Sequence, residues 1–252
     1  MRALIVSGAP SGASLTARLA DDAAATLRTE GHDVDVVRLV EVGWNPVPGP
    51  GDYGIEAFTG PLGDAAEGAL LAGTLSPEVL RQQALLGAAD LLVLVYPLWW
   101  YGMPAVLKGW VDRVFTQGFA YGLHDADGQP RKFGDGAFAG KRGLIVTAAG
   151  DRESAFTPRG VTGGIDDLLF PVTHGLLWYT GIAPLRPLTL LGVDTPLWEG
   201  FDAARSRLRE RLVGVWEEEP LPFRRLLEDY DGARVLRADL APGREGFGAH
   251  LR

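Results

Sequence analysis

Leu91-Leu92-Val93-Leu94-Val95 is an unbroken apolar run, the pattern of a strand buried on both faces, which needs helices above and below it. It leads into Tyr96-Pro97-Leu98-Trp99-Trp100-Tyr101-Gly102 and then into a helical stretch from Pro104 to Gln117. A strand that ends in a proline and adjacent aromatics puts flat rings and free backbone amides at a sheet's carboxyl edge. An open parallel sheet binds its ligand there. The ligand suited to that edge is planar, aromatic and polar along one side.

Strand and helix signals alternate along the rest of the chain. Ala3 to Ser7 reads as a first strand, closed by the loop Gly8-Ala9-Pro10-Ser11-Gly12-Ala13. A helix is expected from Ser14 to Glu30, with Leu15, Leu19, Ala23 and Leu27 four apart on one face. Asp33 to Leu39 is a second strand, charged at its start and so nearer an edge. Residues 41–74, rich in proline and glycine, show no convincing element. Ser76-Pro77-Glu78 starts a helix, with a serine cap, a first-turn proline and an acid against the helix dipole. After the third strand, Gly143 to Ala148 and Leu185 to Leu191 read as the fourth and fifth, separated by an apolar helix from Ile165 to Tyr179. Phe201 to Trp216 is amphipathic, and the chain from Glu217 onward is irregular.

Five strands alternating with helices predict a doubly wound α/β sheet. The loop 8–13 lacks the Gly-x-Gly-x-x-Gly dinucleotide signature, which disfavours the Rossmann form. The strand order 2-1-3-4-5 of flavodoxin-like sheets remains, with its ligand crevice between strands 1 and 3. Residues 1–216 are expected to form that domain and 217–252 an extension packed on the core or on a dimer partner.

The bulk composition removes several classes of function. Asp plus Glu outnumber Lys plus Arg by 32 to 24, a formal charge of −8, so a nucleic-acid partner is not expected. The absence of cysteine rules out thiol catalysis and zinc–thiolate sites and fits a reducing, cytoplasmic compartment. No run approaches the roughly 20 apolar residues of a membrane span. His32, His124, His174 and His250 fit no metal-ligand spacing, and His174, in an apolar helix, reads as a hydrogen-bonded core or pocket residue. Lys108, Asp112 and Arg113 read as a solvated helix face.

Three segments remain for the site. Ser11, Ser14, Leu15 and Thr16 lie where free amides and hydroxyls meet a helix N-terminus, an arrangement suited to phosphate; the plainer reading is a turn capped by Ser14. Pro97, Leu98, Trp99, Trp100 and Tyr101 form the ring-edge candidate, though most tryptophan clusters are packing. Thr147, Ala148, Ala149 and Gly150 close the fourth strand with small residues that allow a ring to approach. Phe119 and Tyr121 could wall a stacking site over that ring, or simply pack a loop.

The run Pro97-Leu98-Trp99-Trp100-Tyr101-Gly102-Met103-Pro104-Ala105-Val106-Leu107-Lys108-Gly109-Trp110, continuing to Gly118-Phe119-Ala120-Tyr121, resembles the flavin-dependent NAD(P)H quinone reductases of the DT-diaphorase type. Further matches are Ser14-Leu15-Thr16, Leu75-Ser76-Pro77, Gly175-Leu176-Leu177 with Gly181, and Trp216-Glu217 with Pro220-Leu221. The resemblance implies a flavodoxin-like homodimer carrying FAD in preference to FMN and no metal. Ser11, Ser14, Leu15 and Thr16 would meet its phosphate and ribityl groups, and residues 97–101 and 147–150 its ring. NAD(P)H and a quinone would share one pocket in turn near Trp100, Tyr121 and Tyr179. The family's Tyr/His relay falls on Phe156 and Thr162 here, so the general acid–base pair is absent, and Thr162 or water is left to protonate. That departure leaves open a nitro, azo or enone acceptor, or a flavin-bound ancillary subunit. A flavodoxin-type electron carrier is disfavoured by the extra C-terminal stretch.

Overall fold

The computed structural model describes residues 1–252. Its elements are β1 (Arg2–Ser7), α1 (Leu15–Thr29), β2 (Asp33–Arg38), α2 (Leu62–Ala72), α3 (Pro77–Ala88), β3 (Leu91–Pro97), α4 (Ala105–Val114), β4 (Arg142–Ala149), α5 (Ile165–Val172), β5 (Ala183–Pro184), β6 (Leu188–Leu191) and α6 (Phe201–Val213). The sheet is parallel throughout, in the order β2-β1-β3-β4-β5, with β6 also paired to β4. This is the flavodoxin-like α/β architecture expected from the strand pattern.

Successive side chains of a strand point to opposite faces, and both faces of this sheet are covered. Ala3, Ile5, Leu91, Val93, Val95, Leu144 and Val146 pack with Leu19, Ala23 and Leu27 of α1 and Leu208 and Leu212 of α6. Leu4, Val6, Leu92, Leu94 and Tyr96 face the other way, onto Leu86 of α3 and Leu107, Trp110 and Val114 of α4. Each fully buried leucine contributes roughly 1.5–3 kcal/mol, so the unbroken apolar runs are what keep the central strands central. The chain leaves β1 over one face and returns to β3 over the other, and the crevice between these two strands is the topological switch point.

Four expectations are corrected. The fifth strand is split into β5 and β6, because Pro187 has no N–H to continue the ladder. Residues 41–74 contain a short 3₁₀ turn, Pro50–Asp52, and the 11-residue helix α2. The helix expected to run from Ile165 to Tyr179 changes from α to π geometry after Val172, two residues beyond the start of the disruption that Pro171 imposes. Arg113 does not face solvent; it is buried, donating to Asp52 at 2.6 and 3.0 Å, to Glu78 at 2.6 Å and to the Asn45 carbonyl at 2.7 Å. Its guanidinium also lies 4.1 Å from the Trp44 ring centroid. One arginine therefore fastens the long segment after β2 to α4, while Lys108 and Asp112 do lie on the solvated face that was expected, paired with each other.

The C-terminal stretch lies against the α5 side. Trp178 Nε1 donates to the Arg224 carbonyl at 2.9 Å, Leu221 N–H to Pro184 at 2.8 Å, and Phe223 is buried. No helix is long and apolar enough to cross a membrane.

Candidate functional site

The loop from β1 to α1 is held against the next strand by Gly8 N–H, which donates to the Val95 carbonyl at 2.9 Å. A Cβ on Gly8 would sit 3.0 Å from Cβ of Leu107, so glycine lets loop and α4 approach this closely. Ser14 caps α1: its hydroxyl oxygen accepts from Ala17 N–H at 3.2 Å and its proton goes to the Ser11 carbonyl at 2.8 Å. With that side chain committed, the N–H groups of Ser11, Gly12, Ala13, Leu15 and Thr16 bond to nothing in the chain. Such amides at a helix N-terminus form an anion-binding surface.

Across the crevice, β3 ends in a tight reversal. Trp99 N–H donates to the Gly102 carbonyl at 3.1 Å and Gly102 N–H to the Trp99 carbonyl at 2.9 Å. Between them Trp100 (φ 49°) and Tyr101 (φ 61°) are both left-handed, a conformation that glycine or asparagine usually supplies. The strain brings out the rings: Trp99 is 50%, Trp100 97% and Tyr101 53% exposed. The N–H groups of Trp100 and Tyr101 are also free.

The end of β4 forms the third side. Leu98 N–H donates to the Ala148 carbonyl at 2.8 Å, and Thr147 is fully buried with its hydroxyl given to the Tyr96 carbonyl at 2.8 Å. Thr147 can therefore meet a ligand only through its backbone. Ala148 and Ala149 keep this edge flat, and the Gly150 N–H is unpaired. Pro97 and Leu98, half-buried, lie between the two strand ends.

Residues 1–212 match the flavodoxin-like fold family. The chain is 33% identical over 264 residues to a ribosyldihydronicotinamide dehydrogenase-like protein, traD, of Penicillium crustosum, covering 100% of this chain and 96% of that protein. It is 30% identical over 230 residues to NAD(P)H dehydrogenase (quinone) 1 of Cavia porcellus, covering 88% of this chain and 80% of that one. A crystal structure from Klebsiella pneumoniae, assigned as a quinone reductase, superposes with a TM-score of 0.93 at 36% identity over 100% of both chains.

The chain belongs to the quinone reductase family of flavoproteins. It is an oxidoreductase of the flavin-dependent, NAD(P)H-using kind. The residues present fit such a cofactor: free amides for its phosphate end, free amides and rings at the β3 turn, and small side chains where its ring system would pass β4.

The residues expected on the acceptor side lie elsewhere. Tyr121 follows the far end of α4, a helix of 10 residues and so about 15 Å long, whereas Trp100 precedes its start. Tyr121 instead lies beside Tyr179 and the α2 carboxylates. Burial, then the neighbouring Tyr179, Asp64 and Glu67, push its phenol above the usual range, so it stays a neutral hydrogen-bond donor at physiological pH. Phe119 is half-buried against Phe138, 5.3 Å between centroids, which makes it packing first.

Phe156 is buried with Ala149, Ala155 and Leu98, behind the end of β4. Thr162 gives its hydroxyl proton to the Ala155 carbonyl. Neither is an available acid or base as placed. Sequence reasoning missed Arg18, whose guanidinium lies 3.5 Å over the Phe201 ring beside the first loop. Arg18 could have been noted as a cation one turn into the helix behind the anion loop. Phe201, 183 positions away, could not. His174 also differs from expectation: its Nε2 is buried with no hydrogen-bond partner.

Proposed function

We propose that this family member is an FAD-dependent NAD(P)H oxidoreductase that delivers two electrons to a quinone or a similarly flat acceptor, working as a cytoplasmic homodimer. The reading rests on one observation: free amides of the β1–α1 loop and an exposed, strained aromatic turn flank the same switch-point crevice. Ser11, Leu15 and Thr16 would hold the phosphates, and residues 97–101 and 147–150 the ring system. Arg18 stacked on Phe201 offers a cationic and aromatic surface for an adenosine moiety, which FMN lacks, and this supports FAD. When bound, the flavin supplies the hydride and electron chemistry, while the protein contributes binding, orientation and electrostatics.

Placement supports the homodimer reading. Trp100 and Tyr121, which the resemblance assigns to one pocket, stand at opposite ends of α4 in one chain, so a two-fold copy would supply the second wall. Tyr121, a neutral phenol, would donate to an acceptor oxygen from that wall. Residues 1–216 would carry the cofactor, and 217–252 would buttress the acceptor side.

A second reading changes the acceptor alone. Phe156 has no hydroxyl and the Thr162 proton is engaged, so an acceptor that depends on acid catalysis from this loop loses a factor of about 10² to 10⁴. That favours a nitro, azo or enone compound protonated by water or by Tyr121. Anaerobic NADH or NADPH should bleach the visible flavin absorbance of the purified protein, and menadione should restore it. Bleaching with recovery only by nitro, azo or enone compounds would select the second reading. A bound flavin that neither nicotinamide reduces would overturn both and leave an ancillary subunit.

A further inference from the structure

The turn that follows α4 carries Tyr121, and the neighbouring chain fixes its shape. Buried Gln83 donates through Nε2 to the Thr116 hydroxyl at 2.9 Å and to the Val114 carbonyl at 3.1 Å. Gly118 N–H donates to the Tyr121 carbonyl at 2.8 Å, and Gln117 and Tyr121 pair as a short bridge. Gly118 (φ 82°) and Gly122 (φ 78°) are both left-handed. A Cβ on Gly122 would lie 2.9 Å from Cγ of Gln117, and one on Gly118 3.0 Å from Cδ2 of Leu70. The turn therefore closes tightly around the Gln117 stem and against α2.

The far end of Gln117 is held as well. Its Nε2 donates to Oε2 of Glu67, on α2, at 2.8 Å. Glu67 forms no ion pair, and this amide is its one side-chain partner. A carboxylate only accepts, so Glu67 dictates which end of the amide faces it and leaves Oε1 facing away. That oxygen lies against Gly63, in the first turn of α2. A Cβ on Gly63 would meet Gln117 Oε1 at 2.4 Å and the Tyr121 hydroxyl oxygen at 3.3 Å. Glycine at 63 thus leaves open the spot on which an acceptor atom and a donor hydroxyl converge. Neither oxygen has a hydrogen-bond partner in the chain, and neither is sealed from solvent. Packing alone would be served as well by a leucine at 117, with no carboxylate needed to orient it.

We infer that Gln117 is a specificity residue of the acceptor site, and that the acceptor is a flat quinone with a hydrogen-bond donor, an amino or hydroxyl group, beside its carbonyl. The Tyr121 hydroxyl donates to the carbonyl, and Gln117 Oε1 accepts from the neighbouring group. This rests on the reading that Tyr121 faces the acceptor. A quinone without the donor leaves Oε1 unpaired once the ring displaces water, and a site built to bond a donor rejects the analogue that lacks it.

A matched pair of quinones tests this. 2-Amino-1,4-naphthoquinone and menadione differ at one ring position, an N–H donor in the first and a methyl group in the second. Dissociation constants come from quenching of tryptophan fluorescence in the as-isolated, oxidised protein with no nicotinamide present, so the readout does not depend on turnover. The amino compound should bind at least tenfold more tightly than menadione. Gln117→Met, similar in size but without the amide, should bring the two within about twofold of each other. Glu67→Gln keeps a hydrogen bond to Gln117 but no longer dictates which end faces Gly63. It should lose the preference severalfold with its thermal midpoint unchanged. Menadione bound by the parent as tightly as the amino compound, or a preference undiminished in either variant, would overturn the assignment. A flavin-loaded parent that binds neither quinone would overturn the acceptor reading itself, and the assignment with it.

Discussion

Trp99 and Gly102 exchange both of their backbone hydrogen bonds, at 3.1 and 2.9 Å, and so close a two-residue reversal on the pair Trp100-Tyr101. Left-handed backbone costs a side-chain-bearing residue roughly 1–2 kcal/mol, and two such residues side by side make this turn a local expense with no gain in packing. The double substitution Trp100→Asn, Tyr101→Gly supplies the pair that this turn prefers. It should raise the stability of the cofactor-free protein by about 1 kcal/mol, read as a thermal midpoint some 2–4 °C higher. Flavin affinity should fall at least tenfold in the same variant. A variant less stable than the parent would show that the strain is not there.

The Arg113–Asp52 pair is the anchor for residues 41–61. Burial alone would raise the Asp52 carboxyl, but hydrogen bonds from Arg113 and the Gly49 N–H outweigh it and hold the group below the usual carboxylate range. Removing one partner of a buried pair costs about 3–5 kcal/mol. Asp52→Asn should cost about 3 kcal/mol, the low end of that range, since Glu78 keeps its own 2.6 Å bond to Arg113. Urea unfolding measures it. Because the folded value lies below the unfolded one, the contribution is present at neutral pH and disappears as the pH falls through the folded value.

His174 titrates in the same direction for the opposite reason. Burial, then neighbouring His250, push its imidazole down to about 4 from the ordinary 6.5, so the folded protein holds it neutral. The unfolded chain binds the extra proton below about 6.5, the usual histidine value, and stability is therefore lost as pH falls from there toward 4. Unfolding midpoints across that interval should decline less steeply in His174→Phe than in the parent. Parallel curves would mean that His174 is not neutralised by the fold.

The central strands were legible because burial on both faces leaves uninterrupted runs such as 91–95, bounded by turn residues. The breaks were local too: Pro187 splits the fifth strand and Pro171 unsettles the fifth helix, each visible in sequence once its backbone role is considered. Helix α2 escaped because Gly63 and Gly68 dilute its pattern and only Ala66 and Ala69 are buried. Arg113 was misread because its partner Asp52 lies 61 residues earlier, and ion pairs across such distances leave no periodic trace. The site divides the same way. The aromatic turn and the anion loop stand in contiguous segments, whereas the pairing of Arg18 with Phe201 exists only once the chain is folded.

Free amides in the first loop are the groups proposed to grip a flavin's phosphate end. Gly12 lies on that loop, exposed and with φ outside the left-handed region, and a Cβ there would meet only Glu41 Oε1, at 3.2 Å. Gly12→Asp adds a negative charge among the amides without disturbing the core. Cofactor released by heat from the parent and the variant, identified by mass and quantified by visible absorbance, gives the decisive comparison. FAD should come from the parent, with at least a tenfold loss of binding in a variant that keeps its unfolding midpoint. A parent polypeptide that is colourless and takes up neither FAD nor FMN, or a variant that binds as tightly as the parent, would contradict that role.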